Sequence, residues 1–415
     1  MDEFSITIDK KKNLTKNSIQ FDIQGNPDMG LDKSIVNSIR RTLLTSIDTV
    51  GFRTDINNSD IVVVENNTSL HNEYLLHRIS LIPLYIDPDT YQKNYLFYLK
   101  VSSNLEEPIK IISMVDFDIY PLKDDIDIET ITEIKLDNYK INDKDKLSNQ
   151  EKKEIFRPYN FDGKDEYCIL TELKLTNSYE TNQTLELYGC PSISQGYEHS
   201  RWQSVSCISY HFKKDNQLFN KILQEKILIE KIPDDKIDNF KNELEISESE
   251  RYFYRDKSYE PYWYEFLIES CHKWDSKQLF IKSTEIIIDQ LTILKNEFPK
   301  ISNKEDSILD FTLVKENIYH LTIQNFDDTI GNILQSHISR YLINQESILS
   351  FCGYKKIHPL KNEIMIILSL NLNHKKLKDK NLTYKTSVII DILIESCNQL
   401  INIYELIKNE AIHNL

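Results

Sequence analysis

Hydrophobic positions in this chain alternate in short runs, and runs of helical period follow them. Ile19, Phe21 and Ile23 alternate with Gln20 and Asp22, the pattern of a half-buried strand. Asp32 then stands where a helix needs an N-cap, and Ile35, Ile39, Leu43 and Ile47 recur at the spacing of one helix face. The same order returns much later. Tyr319, Leu321 and Ile323 alternate with His320 and Thr322, Asp327 or Asp328 supplies a cap, and Ile330, Ile333, Leu334, His337, Ile338 and Tyr341 form the stripe. The helix cores IVNSIRRTLL and IGNILQSHIS share an asparagine at their third position, Asn37 and Asn332. Each copy closes alike, with a strand (Tyr262–Glu269; Glu363–Leu370) leading into a long amphipathic helix. The first of these helices starts at a capping box of Asp275 and Gln278 and buries Phe280, Ile287, Leu291 and Leu294. The second buries Ile389, Ile392, Leu393, Leu400, Tyr404 and Ile407.

The pattern therefore predicts an α+β fold built from two related modules. The first is discontinuous, from residues 1–50 and 255–300; residues 51–254, rich in strand-type alternation, form an inserted β-rich domain. Within the insertion, Lys123–Lys153 reads as a solvated or disordered excursion, and Lys213–Tyr259 as a second polar, helix-prone stretch. Residues 301–315 form a tether in which LDFTL can add a strand, and 316–415 form the compact second module.

Charge and composition narrow the chemistry. Among 415 residues, 50 Lys and Arg face 65 Asp and Glu, and a net charge of −15 repels a polyanion at long range. Direct DNA binding is not expected. The eight glycines never occur as G-x-G, and none precedes Lys-Ser or Lys-Thr, which removes the dinucleotide-binding and P-loop signatures. The six cysteines are scattered singly, without the pairing of a zinc site or a disulfide framework. No apolar run reaches the length of a membrane span, and the acidic start MDEFSITIDKKK is unlike a signal peptide, so a soluble intracellular protein is expected.

Three clusters invite chemistry. His71 and His77 sit in NNTSLHNEYLLHRISLIPL, on a helix expected from about Leu70 to Ile79, but their separation is wrong for an H-E-x-x-H metal pair. His77 and Arg78 suit bonds to backbone carbonyls or a partner's carboxylate better. Asp116 with Asp118, and Asp162 with Asp165 and Glu166, superficially suggest Mg²⁺ carboxylates. Lys164 falls inside the second set, and surface turns explain both more simply. Arg40 and Arg41 flank an apolar stripe, a setting that favours a protein interface over phosphate.

Together these stretches resemble the α-like subunits of DNA-dependent RNA polymerases. Asn37-Ser-Ile-Arg40-Arg41 with Leu43-Leu44 is similar to the N-x-L-R-R-x-L-L helix of the larger α-like subunit, D in archaea and third-largest in eukaryotic enzymes. Glu65-Asn-Asn-Thr-Ser, Glu73-Tyr-Leu-Leu-His77-Arg78 and Leu81-Ile-Pro83-Leu84 resemble its H-R-x-G-L-I-P-L region, with Ser80 in place of the glycine. Gly196-Tyr-Glu-His199-Ser-Arg-Trp202 resembles its G-x-x-H-x-K-W loop. The C-terminal part resembles the small L-type partner, through Asp327-Asp328-Thr-Ile-Gly331-Asn332 and through Gly353-Tyr-Lys with His358-Pro359-Leu360.

The resemblance implies a dimerisation fold present twice, a D/L-type heterodimer made intramolecular in place of a homodimer, as in polymerases of large DNA viruses of eukaryotes. It implies a non-catalytic platform that docks the largest and second-largest subunits and small polymerase subunits. No cofactor, metal or membrane contact is implied, and the location is a cytoplasmic viral factory and the virion. The interface residues it points to are Ile35, Ile39, Arg40, Arg41, Leu43, His77, Arg78, His199, Trp202, Ile330, Leu334 and Ile338. The competing readings are an interaction scaffold outside transcription and a metal-dependent nucleotidyl or phosphoryl transferase.

Overall fold

The computed structural model describes all residues except 1–5, 16, 27–30, 93, 104–108, 123–144, 175–181, 258, 304–306, 316, 344–346, 372 and 379–380. Helices and antiparallel strand pairs mix throughout, and the chain divides into two compact units. One comprises Met1–Leu43, Cys207–Glu269 and Ser276–Leu415; the other comprises Leu44–Ser206 and Ser270–Asp275.

The first unit carries two four-stranded sheets. In one, the hairpin of Thr7–Thr15 and Ser18–Gln24 is followed by Trp263–Ser270 and then by Val205–Phe212 at the edge. In the other, the hairpin of Leu309–Lys315 and Ile318–Gln324 is followed by Glu363–Leu370 and then by Leu349–Lys356. Alternation explains one face of each sheet. Phe21 stacks on Phe266 at 5.3 Å and meets Phe280 of the Ser276–Asn303 helix edge-on at 5.0 Å, so the apolar face is covered by that helix. The other face is charged. Asp22 and Glu265 stand directly opposite each other across the strand pair, and Lys11 and Lys213 lie between and beside them at 2.8–3.3 Å. Like charges in register repel; here two ammonium groups neutralise them.

Four helices complete the core of this unit. Lys33–Thr45 and Asp328–His337 each follow a hairpin, and Ser276–Asn303 and Leu382–Asn414 each follow an inner strand. Caps form where the sequence places them: Asp32 Oδ1 accepts from Ser34 N at 2.9 Å, and Asp327 Oδ1 accepts from Thr329 N at 2.9 Å. Among the described residues the most extensive helix–helix contact is between Ser276–Asn303 and Leu382–Asn414. Phe280, Ile287, Leu291 and Leu294 of one, and Ile389, Leu393, Leu400, Tyr404 and Ile407 of the other, are fully buried.

Several boundaries differ from the sequence reading. Residues 207–254 fall in the first unit and not with the rest of the insertion, because Val205–Phe212 pairs with Trp263–Ser270. The polar stretch after it is a helical pair, Asn216–Glu230 and Ile237–Glu248, around a small core of Phe219, Leu223 and Leu244. The tether shrinks from both sides. One helix continues past Pro299 to Asn303, and Leu309–Lys315 is an edge strand. Most of the Lys123–Lys153 excursion, residues 123–144, lies outside the described residues, but Asn149–Ile155 is a helix with a Ser148/Glu151 capping box.

The second unit holds a four-stranded sheet in the order Ile61–Asn66, Thr184–Gly189, Tyr95–Ser102, Asp118–Pro121, and smaller two-stranded ribbons. Its core gathers Phe52, Phe97, Phe117 and Phe156, with Phe52 and Phe97 edge to face at 5.2 Å. Leu75 and Ile79 of the Asn72–Ser80 helix join it.

Candidate functional site

The anticipated interface residues fall into two groups, one in each unit. In the first unit, Ile35, Ile39 and Leu43 on one short helix and Ile330, Leu334 and Ile338 on or just beyond the other are all buried. The bonds that join the two halves of this unit are polar. Arg41 donates through Nε to Thr329 Oγ1 at 2.9 Å and through Nη2 to Asp327 Oδ2 at 3.2 Å, so it holds the capping carboxylate of the second short helix. Ser38 Oγ and Tyr404 Oη share a buried hydrogen bond of 2.6 Å. Asp32, itself buried, takes Ser336 Oγ and lies 3.6 Å from Arg340, whose guanidinium also faces Asp256 and Glu260 at 3.7 Å. Lys408 pairs with Glu285 at 2.8 Å across the long helices. Arg40 does something different from its neighbour: its Nε donates to Asn37 Oδ1 on its own helix at 2.9 Å.

Burial sets the electrostatics here. Tyr404 is enclosed, and its hydroxyl is pushed well above the ordinary tyrosine range. Burial also depresses His337, whose Nε2 lies 3.0 Å from Gln399 Oε1. Gly331 has a packing reason: a Cβ there would stand 2.8 Å from Tyr354 Cδ2.

In the second unit the loop from Gly196 to Trp202 is stitched down from several sides. A Cβ on Gly196 would lie 2.0 Å from the carbonyl oxygen of Leu44, so no other residue fits without a backbone shift. Glu198 accepts both forks of Arg53 at 2.8 and 2.9 Å, which holds its carboxyl below the usual range. Arg201 reaches Phe52 O, Thr54 Oγ1 and Asp55 Oδ1. His199 caps the turn Ser200–Trp202 by accepting from Arg201 N at 3.1 Å; burial lowers its pKa, and Arg201 and His77 add like charge. Trp202 is a buried anchor over Gly51, with Arg53 facing its ring at 5.9 Å.

His77 is exposed, and Arg78 donates through Nη2 to Ile169 O at 2.6 Å. His71 is an N-cap, accepting from Glu73 N at 3.4 Å. Ser80 lies inside the helix with its hydroxyl on His77 O at 2.7 Å, so the position needs no glycine conformation. Tyr74 of the same helix is 69% exposed, whereas Leu75 and Ile79 are buried.

The acidic pairs serve local structure. Asp116 Oδ2 accepts from Ser113 N at 2.7 Å, and Asp118 pairs with Lys146 at 2.6 Å. Asp162 and Gly163 both have positive φ, 50° and 75°, and make the two-residue turn of the hairpin Tyr159–Phe161/Lys164–Glu166; Asp165 pairs with Lys153 at 2.8 Å. Among the described residues no three His, Cys, Asp or Glu side chains converge as a metal site.

Sequence reasoning missed Asp32 with Arg340, Ser38 with Tyr404, and Arg53 with Glu198. Each joins residues far apart in the chain, and no local spacing signals such a pair.

No family model matches this chain. It is 35% identical over 80 residues to the human protein named DNA-directed RNA polymerases I and III subunit RPAC1, a match covering 19% of this chain and a fifth (20%) of that relative. It is 27% identical over 303 residues, 66% of this chain and 86% of the relative, to a conjugation stage-specific protein of Tetrahymena thermophila. It is 22% identical over 304 residues, 66% of this chain and 78% of the relative, to DNA-directed RNA polymerases I and III subunit rpac1 of Dictyostelium discoideum. The chain is thus similar, at modest identity and over part of its length, to a subunit of DNA-directed RNA polymerases of the α-like kind that its motifs resemble.

Proposed function

We propose that this chain is a non-catalytic assembly subunit of a DNA-directed RNA polymerase, in which a D-like and an L-like dimerisation fold lie on one polypeptide and pair with each other. The observation that carries the reading is the strand order of the first unit. Each sheet runs hairpin, inner strand, edge strand, with a short helix after the hairpin and a long helix after the inner strand. The two long helices share the most extensive helix–helix contact among the described residues, and Arg41, Asp32 and Ser38 bond from one half to the other. The names of the RNA polymerase relatives support the same reading.

In this reading the apolar stripes around Ile39 and Leu334 serve the internal pairing. Arg40, His77 and Arg78, which are partly or fully exposed, together with the braced loop that holds His199 and Trp202, belong to the surfaces that receive the largest and second-largest subunits and the small polymerase subunits. A rigid loop carrying charged forks beside an aromatic anchor suits docking, because little order is left to be imposed on binding. We further propose a large DNA virus as the source, with assembly in the cytoplasm and packaging in the virion; the Asn, Ile and Lys richness of the chain bears only on the AT-rich genome this source would have.

The test is recovery of the full-length tagged chain from its native source with mass spectrometry of what accompanies it. The two largest polymerase subunits are expected in near-stoichiometric amount. A folded chain recovered with other proteins and no polymerase subunit would leave an interaction scaffold outside transcription as the better account.

A further inference from the structure

Each four-stranded sheet of the first unit opens on a hairpin whose outer strand lies at an edge, Thr7–Thr15 in one and Leu309–Lys315 in the other. The backbone groups along an edge pair readily with another strand, and proteins blunt such edges with lysines and bulges. Thr7–Thr15 is blunted in this way. Lys10 and Lys11 are exposed on it, and its register shifts between Lys10 and Lys12 and again between Asn13 and Thr15. Leu309–Lys315 carries apolar residues instead: Leu313 is 44% and Val314 50% exposed, and its shift in register falls at its end, between Leu313 and Lys315.

Hydrogen-bond phase decides what this edge presents. Gln324 N donates to Ile308 O at 3.0 Å, so Asp310 and Thr312 turn their backbone groups toward Ile318–Gln324, and Leu309, Phe311 and Leu313 turn theirs away. Leu309 N is taken by Ser307 Oγ at 3.2 Å. Among the described residues nothing bonds the outward backbone groups of Phe311 and Leu313. The side chains divide by face. Phe311 stacks on Tyr319 at 5.3 Å on the apolar face, with Leu313 beyond it, whereas Asp310 and Thr312 are exposed on the other. Val314 is the extra residue of the bulge, so Lys315 pairs with Ile318 and falls on the face of Asp310.

We propose that two copies of the chain pair antiparallel along Leu309–Lys315 about a two-fold axis at Thr312. Such an axis sets each residue against one on the same face of the sheet, and this register does so with matching chemistry. Phe311 of each copy stands opposite Leu313 of the other, apolar on apolar, with the outward amides and carbonyls of both at bonding positions. Asp310 stands opposite Lys315, and cross-strand pairs of opposite charge stabilise a sheet. Registers centred on Phe311 or Leu313 break that charge pairing. The strand is therefore complementary to itself in one register, and symmetry supplies each pair twice. The net charge of −15 opposes self-association, but at physiological salt that repulsion is screened beyond about 8 Å. The pairing leaves the internal contact of the two halves untouched and is independent of the polymerase reading.

The experiment is sedimentation equilibrium of the full chain at physiological salt. The edge is short, so a weak dimer is expected, with the average mass rising from one chain toward two as concentration approaches about 100 µM. Asp310→Lys and Lys315→Asp should each weaken it about tenfold, because each sets like charges opposite one another twice per dimer. The double variant should restore it, and Leu313→Lys should abolish it. All three side chains are exposed, and thermal melts confirm that the variants fold. A chain that stays monomeric overturns the proposal. So does a dimer that survives Leu313→Lys in the folded protein, because its interface then lies elsewhere, and so does a double variant no tighter than the single ones, because the register is then wrong.

Discussion

Arg41 and Asp327, 286 residues apart in the chain, meet with Nη2 3.2 Å from Oδ2, on the carboxylate whose other oxygen caps the Asp328–His337 helix. One charge therefore both starts a helix and ties it to the Lys33–Thr45 helix. The pair is partly exposed, so Arg41→Ala should cost about 0.5–1 kcal/mol. Asp327→Ala loses the cap as well and should cost about 1–2 kcal/mol. Urea unfolding of both single variants and the double variant measures this; a larger loss for Arg41→Ala than for Asp327→Ala contradicts the shared role.

Ser38 and Tyr404 make the buried counterpart of that clasp. Tyr404→Phe leaves the Ser38 hydroxyl with its bond to Ile35 O, whereas Ser38→Ala removes the Ser38 hydroxyl from the buried phenol. Each should cost about 1 kcal/mol, Ser38→Ala the more, and the double variant should cost less than their sum. Strict additivity in equilibrium unfolding would show that the bond contributes nothing.

Acid should weaken the two units in different windows. Burial pushes the Glu265 carboxyl up, but Lys213 and Lys11 more than reverse this and leave it at about 2. Its folded value lies below its unfolded one, so the stabilisation is full above about 4.5 and is lost as pH falls toward 2. His272, buried with Nδ1 3.3 Å from Leu84 O, is lowered to about 4 by burial. The unfolded chain takes that proton near 6.5, so this contribution is full above 6.5 and is lost as pH falls from 6.5 to 4. Melting temperatures recorded from pH 7 to 2 should show both declines. Glu265→Gln should flatten only the lower and His272→Asn only the upper, and a variant that leaves its own window unchanged refutes the assignment.

Gly196→Ala should be among the most damaging small substitutions in the chain. The added methyl meets a backbone oxygen at 2.0 Å, which no side-chain rotation relieves. A cost of about 3 kcal/mol or more is expected, with a red shift of the emission as Trp202 loses its packing against Gly51. A variant as stable as the parent means that the loop has another low-energy path.

Alternation and helical period made much of the first unit legible. Ser18–Gln24, Glu363–Leu370, both short helices and both long ones stand where the apolar spacing puts them, and Asp32 and Asp327 cap as residue type dictates. The motif residues were legible too, but their work was not. Arg40 and Arg41 are adjacent and chemically identical, yet one bonds within its helix and the other reaches the second half of the unit.

Local pattern, then, determined which segments are strands and helices and which face of each is apolar, because periodicity of burial is written into consecutive residues. Tertiary structure alone decided that Val205–Phe212 completes the first sheet, that Asp22 and Glu265 share two lysines, and that Ser38 and Tyr404 share a buried hydrogen bond. Each of these is a meeting of residues distant in the chain. Such meetings depend on which buried faces find each other, and a short window of sequence carries no term for that.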